Sequence, residues 1–423
     1  MTTAERIIEF YKIIEKLCLV KRSNWLSNGD SESDSDHVFK VAFLTLMISP
    51  YLQKKVDYTK LLELALVHDS VEAIAGDVDM AAHLTDSDIK KQKKQKEAEA
   101  IEHYKSILPP PLNEKIYNLF MEYEDRQTYE SKVLKCIDTL DACLQCYLYK
   151  GGDVSYWKDA YPYSKWHYEN SLTKKEHIQN LGEDILLNIE DCKNEELKSI
   201  YEKCGIELYN YIPSGKPLNE TAQKITAFYK IIEKLCMIRR DNLLQNFEDE
   251  SDSDHILKLS FLVMLTAPYF KSKVDYTRML EIALVHDIAE ATVGDFPLAS
   301  QTADVKKIKK QKEQETIEYY KSILPEPLNQ KIYDLFQEYE NRQTLEAKIV
   351  YGLDKLDAAL QMNSCGDLDY VTKLPNGLWY FNYAITKREI LKEVDEEILY
   401  ELEDLIIELT KTNVAKLNLT AAE

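Results

Sequence analysis

Glycine and proline are scarce, 11 and 12 residues in a chain of 423. So few turn formers argue against a turn-rich all-β fold and favour long helices. Long apolar runs are missing as well. The two greasiest stretches, VAFLTLMISPYL and LSFLVMLTAPYF, are broken by Pro50 and Pro268, well short of the roughly 20 residues a membrane span needs. The start, MTTAERIIEF, places Glu5, Arg6 and Glu9 where a secretory segment is apolar. Basic residues are outnumbered, 53 against 73 acidic, for a formal charge of −20. That balance excludes a broad phosphate-binding surface and predicts no nucleic-acid partner. A small anionic substrate stays open, because a local basic or metal site outweighs the global charge. Eight cysteines form no disulfide framework, and the CxxC of Cys143 and Cys146 is matched further on by Ala359-Leu360-Gln361-Met362. Buried thiols in a reducing cytoplasm, with no membrane association, are the expectation.

What the chain does contain is itself, twice. FYKIIEKLC occurs at Phe10–Cys18 and again at Phe228–Cys236. VDYTKLLELALVHD (Val56–Asp69) returns as VDYTRMLEIALVHD (Val274–Asp287), and YKSILPPPLNEKIYNLFMEYEDRQT as YKSILPEPLNQKIYDLFQEYENRQT. The spacing is 218 residues from Phe10 to Phe228 and 216 from Asp138 to Asp354, so copy two has lost two residues after its GD pair. A period this long means a duplicated domain, with expected boundaries 1–205 and 221–423 and a linker at 206–220 around YIPSGKPLN. Apolar residues recur at three and four residue spacing, predicting an all-α fold of about six helices per copy. Gly76 and Gly294 follow helical runs and suit left-handed caps.

Each copy carries two histidines and two aspartates in matching places: His37, His68, Asp69 and Asp138, then His255, His286, Asp287 and Asp354. Imidazole and carboxylate together form a mixed N/O set suited to one divalent ion per domain (Mn, Co, Fe, Ni or Mg), leaving positions for water and substrate. A closed structural zinc site leans on cysteine instead. A lone helix histidine is ordinarily a core or surface residue, but here the comparison between copies discriminates. Copy one also holds His83, His103, His167 and His177, whereas copy two keeps only His255 and His286. Glu72 and Glu290 follow the second histidine by four residues, one turn along the same helix face. A carboxylate there can manage a water's proton; the plainer alternative is an exposed helix glutamate. Asp77 and Asp295 follow the glycines, where an acid can fold back over the site. The lysine-rich runs Lys90–Lys96 and Lys306–Lys312 read as solvated helix faces, with phosphate steering a secondary role.

The run ESDSDH, LALVHDSVEAIAGD and EYE…K…D resembles the HD-domain phosphohydrolase superfamily, and more narrowly its 5′-deoxynucleotidase family, over most of each copy. The resemblance implies two tandem HD-type helical domains. Each would hold a metal that activates water to release phosphate from (deoxy)nucleoside 5′-monophosphates. It also implies substrate contacts at Arg22 and Trp25, at Arg240 with Leu243 replacing the tryptophan, and at Glu124 and Glu340. Arginine suits bidentate phosphate binding, and an indole gives a flat wall for sugar or base. Members of the family pair as dimers, so the duplication is consistent with an intramolecular pseudo-dimer as well as with two tethered domains. Two rival readings remain at this level. One is a phosphohydrolase acting on a triphosphate, cyclic nucleotide or alarmone; the other pairs a catalytic copy with a nucleotide-binding or scaffolding copy.

Overall fold

The computed structural model describes residues 1–78, 87–148, 175–203, 217–364, 372–373 and 376–420. Most of the expected linker and the aromatic segment Tyr156–Tyr168 lie outside them, as does the side chain of Cys146. Copy one runs α1 (Thr3–Ile14), β1 (Lys21–Trp25), β2 (Ser31–Ser33), α2 (Asp34–Ile48), α3 (Tyr58–Val67), α4 (Glu72–Ala75), α5 (Ser87–Ile107), α6 (Leu112–Asp125), α7 (Tyr129–Leu148), α8 (Glu176–Leu181) and α9 (Asp184–Lys203). Copy two repeats the order as α10 (Glu220–Ile232), β3 (Arg239–Leu243), β4 (Asp249–Ser251), α11 (Asp252–Thr266), α12 (Tyr276–Val285) and α13 (Glu290–Val293). It continues with α14 (Ala303–Ile323), α15 (Leu328–Asn341), α16 (Leu345–Gln361), α17 (Gly377–Ala384) and α18 (Glu397–Thr420). The fold is all-α, as the patterning predicts. What the patterning did not predict is a short antiparallel hairpin in each copy, pairing Lys21 with Ser33 and Arg239 with Ser251.

The middle of the molecule is the pair α2 and α11. Each starts at a serine whose side chain accepts from the third helical N–H while the aspartate there bonds back, Ser33 with Asp36 and Ser251 with Asp254; this reciprocal cap fixes the first turn. Every residue of both helices is buried. A helix apolar nearly all round belongs at the centre of a protein rather than on its surface, and these two meet each other. Ser253 Oγ donates to Asp36 Oδ1 at 2.6 Å, and Ser35 Oγ donates reciprocally to Asp254. Further out the exchange continues, with Tyr51 donating to Pro325 and Glu326 carbonyls and Tyr269 to those of Pro109 and Pro110. One continuous hydrophobic core includes Ile7, Phe43, Leu66 and Leu134 from copy one with Phe228, Phe261, Leu284 and Leu353 from copy two.

The first helix of each copy lies against the other copy. Helix α1 packs on α11 and α18, and α10 packs on α9 and α2. Phe10 meets Phe261 with ring centroids 6.4 Å apart, and Phe43 meets Phe228 at 6.3 Å. The described cysteines Cys18, Cys136, Cys143, Cys192 and Cys236 are free and buried. No helix among the described residues is long and apolar enough to cross a membrane.

Candidate active site

Four elements converge in each copy. In copy one, His37 sits in the first turn of α2, and His68 caps the C-terminus of α3. Asp69 follows in the turn, and Asp138 comes from the middle of α7. The two imidazoles face one another with Nε2 atoms 3.4 Å apart. Asp69 Oδ2 lies 3.5 Å from both, and Asp138 Oδ1 3.3 Å from His37 Nε2. The far side of each ring is already committed. His68 Nδ1 lies 2.8 Å from the Ala65 carbonyl and His37 Nδ1 2.7 Å from Asp141 Oδ2. A carbonyl and a carboxylate only accept, so each ring donates from Nδ1 and, in its neutral form, presents a bare Nε2 lone pair. Two imidazole lone pairs and two carboxylate oxygens then crowd one point without a donor between them. That donor set fits a divalent cation, and outer partners such as Asp141 orient ligand imidazoles in metal sites.

Electrostatics say the same. Burial and Arg22 press the His37 imidazolium down, but Asp138, Asp141 and Asp69 outweigh them and raise its pKa well above the ordinary value. Burial lowers His68. Burial opposes ionisation of Asp138, yet Lys135 and both histidines hold it well below the usual carboxylate range. The point between the rings therefore draws positive charge. Asp138 Oδ2 is pinned by Tyr123 Oη and Lys135 Nζ, each at 2.7 Å.

Copy two reproduces the arrangement. His255 and His286 Nε2 atoms are 3.3 Å apart. Asp287 Oδ2 lies 3.8 and 3.1 Å from them, and Asp354 Oδ1 3.3 Å from His255. His286 Nδ1 meets the Ala283 carbonyl at 2.8 Å and His255 Nδ1 meets Asp357 at 2.7 Å. Burial and Arg240 press His255 down, but Asp354 and Asp357 outweigh them and raise it to about 9.

An HD-domain family model matches residues 14–181 and 232–375, the better part of both copies. The chain belongs to the HD-domain family, in its 5′-deoxynucleotidase branch. It is 34% identical over 145 residues to 5′-deoxynucleotidase HDDC2 of Xenopus laevis, covering 34% of this chain and 70% of that protein. Against the protein of the same name from Dictyostelium discoideum it is 33% identical over 150 residues, covering 34% and 77%. Against 5′-deoxynucleotidase YBR242W of Saccharomyces cerevisiae it is 37% identical over 143 residues, covering 32% and 58%. Each likeness is one copy long. Membership of this metal-dependent family implies a divalent ion, and the donor set just described fits one.

Beside the histidine pair in this HD-domain chain stands a second acidic group, Asp34, Glu72 and Asp77, with ligand atoms within 4.8 Å of one another. Burial, with Asp77 and Asp69, pushes Asp34 up to about 7 against the pull of Arg22. Burial, Asp69 and Asp34 push Glu72 well above its ordinary value against Lys93. Arg22 reaches Asp34 Oδ1 at 3.1 Å and Asp69 Oδ2 at 3.5 Å, so it bridges the two groups. Arg240 does the same with Asp252 and Asp287 at 3.2 and 3.3 Å.

Several expectations need adjustment. Glu72 and Glu290 do not continue the helix of the histidine. Helices α3 and α12 stop at Val67 and Val285, and a turn bonded Ser70 N to Val67 O and Glu72 N to Asp69 O intervenes. The glutamates still face the site because that turn and not a helical period aims them; both are buried, 2% and 1% exposed. Gly76 and Gly294 cap with φ 74° and 78° but ψ 153° and 162°, outside the left-handed helical well. Their positive φ with extended ψ suits glycine all the more and turns Asp77 and Asp295 back into the cavities. Glu124 and Glu340 line those cavities. Asn24, the neighbour of Trp25, lines the copy-one cavity. Leu243 is buried against Met362, Tyr380 and Phe381, and of these Tyr380 lines the copy-two cavity.

The lysine run is not merely a solvated face. Lys93 Nζ lies 2.8 Å from Glu72 Oε1, 3.6 Å from Glu97 and 4.0 Å from Asp77. Lys309 holds Glu290 at 2.7 Å in the same way. Every third or fourth residue of α5 points inward, and Lys93 falls on that stripe while Lys91 falls outside it. Asp34, Asp141 and Tyr123, with Asp252, Asp357 and Tyr339, are further site residues that motif spacing did not reveal. The repeat itself carried that signal, since all three positions are the same in both copies.

Proposed function

We propose that the chain is a metal-dependent phosphomonoesterase that hydrolyses (deoxy)nucleoside 5′-monophosphates to nucleoside and phosphate in both copies. The observation that carries this reading is the facing pair of imidazole lone pairs with two carboxylates, duplicated at the floor of two cavities. Those cavities measure about 710 Å³ in copy one and 320 Å³ in copy two, within the range that takes small-molecule ligands. His37, His68, Asp69 and Asp138 would hold one divalent ion, Mn, Co, Fe, Ni or Mg, and His255, His286, Asp287 and Asp354 another. When bound, such an ion supplies Lewis acidity and lowers the pKa of water at the site.

The remaining work falls to the chain's own side chains. Arg22 or Arg240, with Lys93 or Lys309 behind it, neutralises phosphate oxygens as charge builds at phosphorus. Glu72 and Asp77, or Glu290 and Asp295, orient water and exchange its proton. Burial raises Glu72 and Glu290 well above the ordinary carboxylate value, which suits them to proton exchange. Glu124 and Glu340 sit where the nucleoside would extend. The duplication is read as an intramolecular pseudo-dimer of repeats 1–205 and 221–423 about the 206–220 linker. The reciprocal Ser–Asp and tyrosine–carbonyl bonds support it, because a two-fold interface uses one patch twice. The buried free thiols favour a cytoplasmic setting.

Assaying metal-loaded protein against a panel of nucleotides tests the proposal. Phosphate release from deoxynucleoside monophosphates is expected for the wild type and lost in His68→Ala/His286→Ala. Release that survives undiminished in that double variant overturns the reading.

A further inference from the structure

The nonapeptide that is identical in both copies, FYKIIEKLC, contains a tyrosine and a glutamate one helical turn apart, and in the fold both reach across the repeat boundary. Tyr229 of α10, 1% exposed, donates to Asp141 Oδ1 at 2.7 Å, while the other oxygen of Asp141 holds His37 Nδ1 at 2.7 Å. Tyr11 of α1 donates to Asp357 Oδ1 at 2.6 Å, and Asp357 Oδ2 holds His255 Nδ1 at 2.7 Å. The glutamates support the hairpins. Glu233 accepts from Ser27 N and Ser27 Oγ, both at 2.8 Å, just beyond β1; Glu15 accepts from Gln245 N at 3.2 Å and Nε2 at 2.9 Å, just beyond β3.

We propose that Tyr229 is a positioning residue for the copy-one site and Tyr11 for the copy-two site, so that each site is completed by the other repeat. The proposal rests on the metal-ligand reading of His37 and His255 given above. Its physical basis is the division of labour on one buried carboxylate. Asp141 is fully buried, and Lys40 Nζ lies 3.9 Å from its Oδ2. The tyrosine hydroxyl fixes Oδ1, which leaves Oδ2 aimed at the imidazole and keeps the ring hydrogen on Nδ1. Take the hydroxyl away and the carboxylate loses one of its two short partners and is free to turn. Outer partners of this kind are worth roughly 10–100-fold in metal affinity.

The test uses the full chain and Co²⁺, followed by the visible absorption of the bound ion. His286→Ala leaves the copy-one site as the measurable one, and His68→Ala leaves the copy-two site. In the first background Tyr229→Phe is expected to weaken Co²⁺ about 10-fold and Tyr11→Phe to leave it unchanged; in the second the pattern reverses. A purely structural role would weaken both sites together, so equal losses, or no loss at either, overturn the proposal. Asp141→Asn cuts the same relay in the middle. Adding Tyr229→Phe to it should cost copy one nothing further, and additive losses overturn the relay. Thr59→Val removes the cross-repeat bond between Thr59 and Thr277 and should leave both affinities intact. Failure of the ligand reading is separately visible, as two Co²⁺ ions still bound with unchanged spectra in His68→Ala/His286→Ala.

Discussion

Replacing Lys93 by glutamine tests the least expected feature of the site, a lysine from a charge run turned inward onto an acidic cluster. Its ammonium lies 2.8 Å from Glu72 Oε1, where the glutamate is 3% and the lysine 18% exposed. At that separation the gross attraction is about 6 kcal/mol in an effective dielectric of about 20. Losing one partner of a well-buried pair costs roughly 3–5 kcal/mol. Two effects moderate it here. Lys93 keeps some solvent contact, and Glu72, already pushed up by burial and by Asp69, escapes part of the cost by taking a proton. The expected loss is therefore about 2–3 kcal/mol, below the intact-pair figure, with a large fall in copy-one turnover because Glu72 and Asp77 lose their shared cation. Urea unfolding reads the first, and phosphate release in a His286→Ala background reads the second. Lys91, exposed on the same helix, is the control, since surface changes of this kind stay within about 0.5 kcal/mol. If Lys93→Gln behaves like Lys91→Gln in both assays, the inward lysine has no part in the site.

Two more outcomes follow from the electrostatics. Asp34 binds its proton more tightly folded, at about 7, than at the ordinary value of 3.8, chiefly through burial. The native state thus holds the extra proton between those values, so stability falls as pH rises from about 4 to about 7 and is level above, by about 1.4 kcal/mol per unit of separation. Asp34→Asn/Asp252→Asn should flatten that limb in metal-free protein and raise the melting temperature at pH 8 more than at pH 4; an unchanged slope refutes the assignment. Chelation should lower the melting temperature of the wild type and not of His68→Ala/His286→Ala. An ion held at about 100 times its Kd contributes about 2.7 kcal/mol, and equal shifts in both proteins would falsify the ligand set.

The facing histidines and aspartates were legible because chemistry constrains such a set in type and spacing, and because a duplicated chain carries its own comparison. Copy two discarded the incidental histidines and kept His255 and His286. The hairpin carrying Arg22 was not legible, since KRSNW has no apolar alternation and is shaped by its pairing with Ser31–Ser33. Asp34 and Lys93 were hidden for a different reason. Each sits among like residues, in SDSD and in KKQKKQK, and composition cannot say which member of a charge run faces inward.

The repeat boundary misleads in a more instructive way. Sequence similarity defines a unit of descent, and the natural step is to treat it as a unit of folding. Here the two differ. The nonapeptide that marks the start of each repeat is spent on the neighbour: Phe228 packs on Phe43, Tyr229 reaches Asp141, and Glu233 holds Ser27. An isolated copy one would therefore expose the faces of α2 and α9 that α10 covers and leave Asp141 short of a partner. The buried Ser–Asp exchange at the start of α2 and α11 binds the same way in both directions. Both copies then share one core, and the proposed positioning role gives each nonapeptide the same task in the other copy.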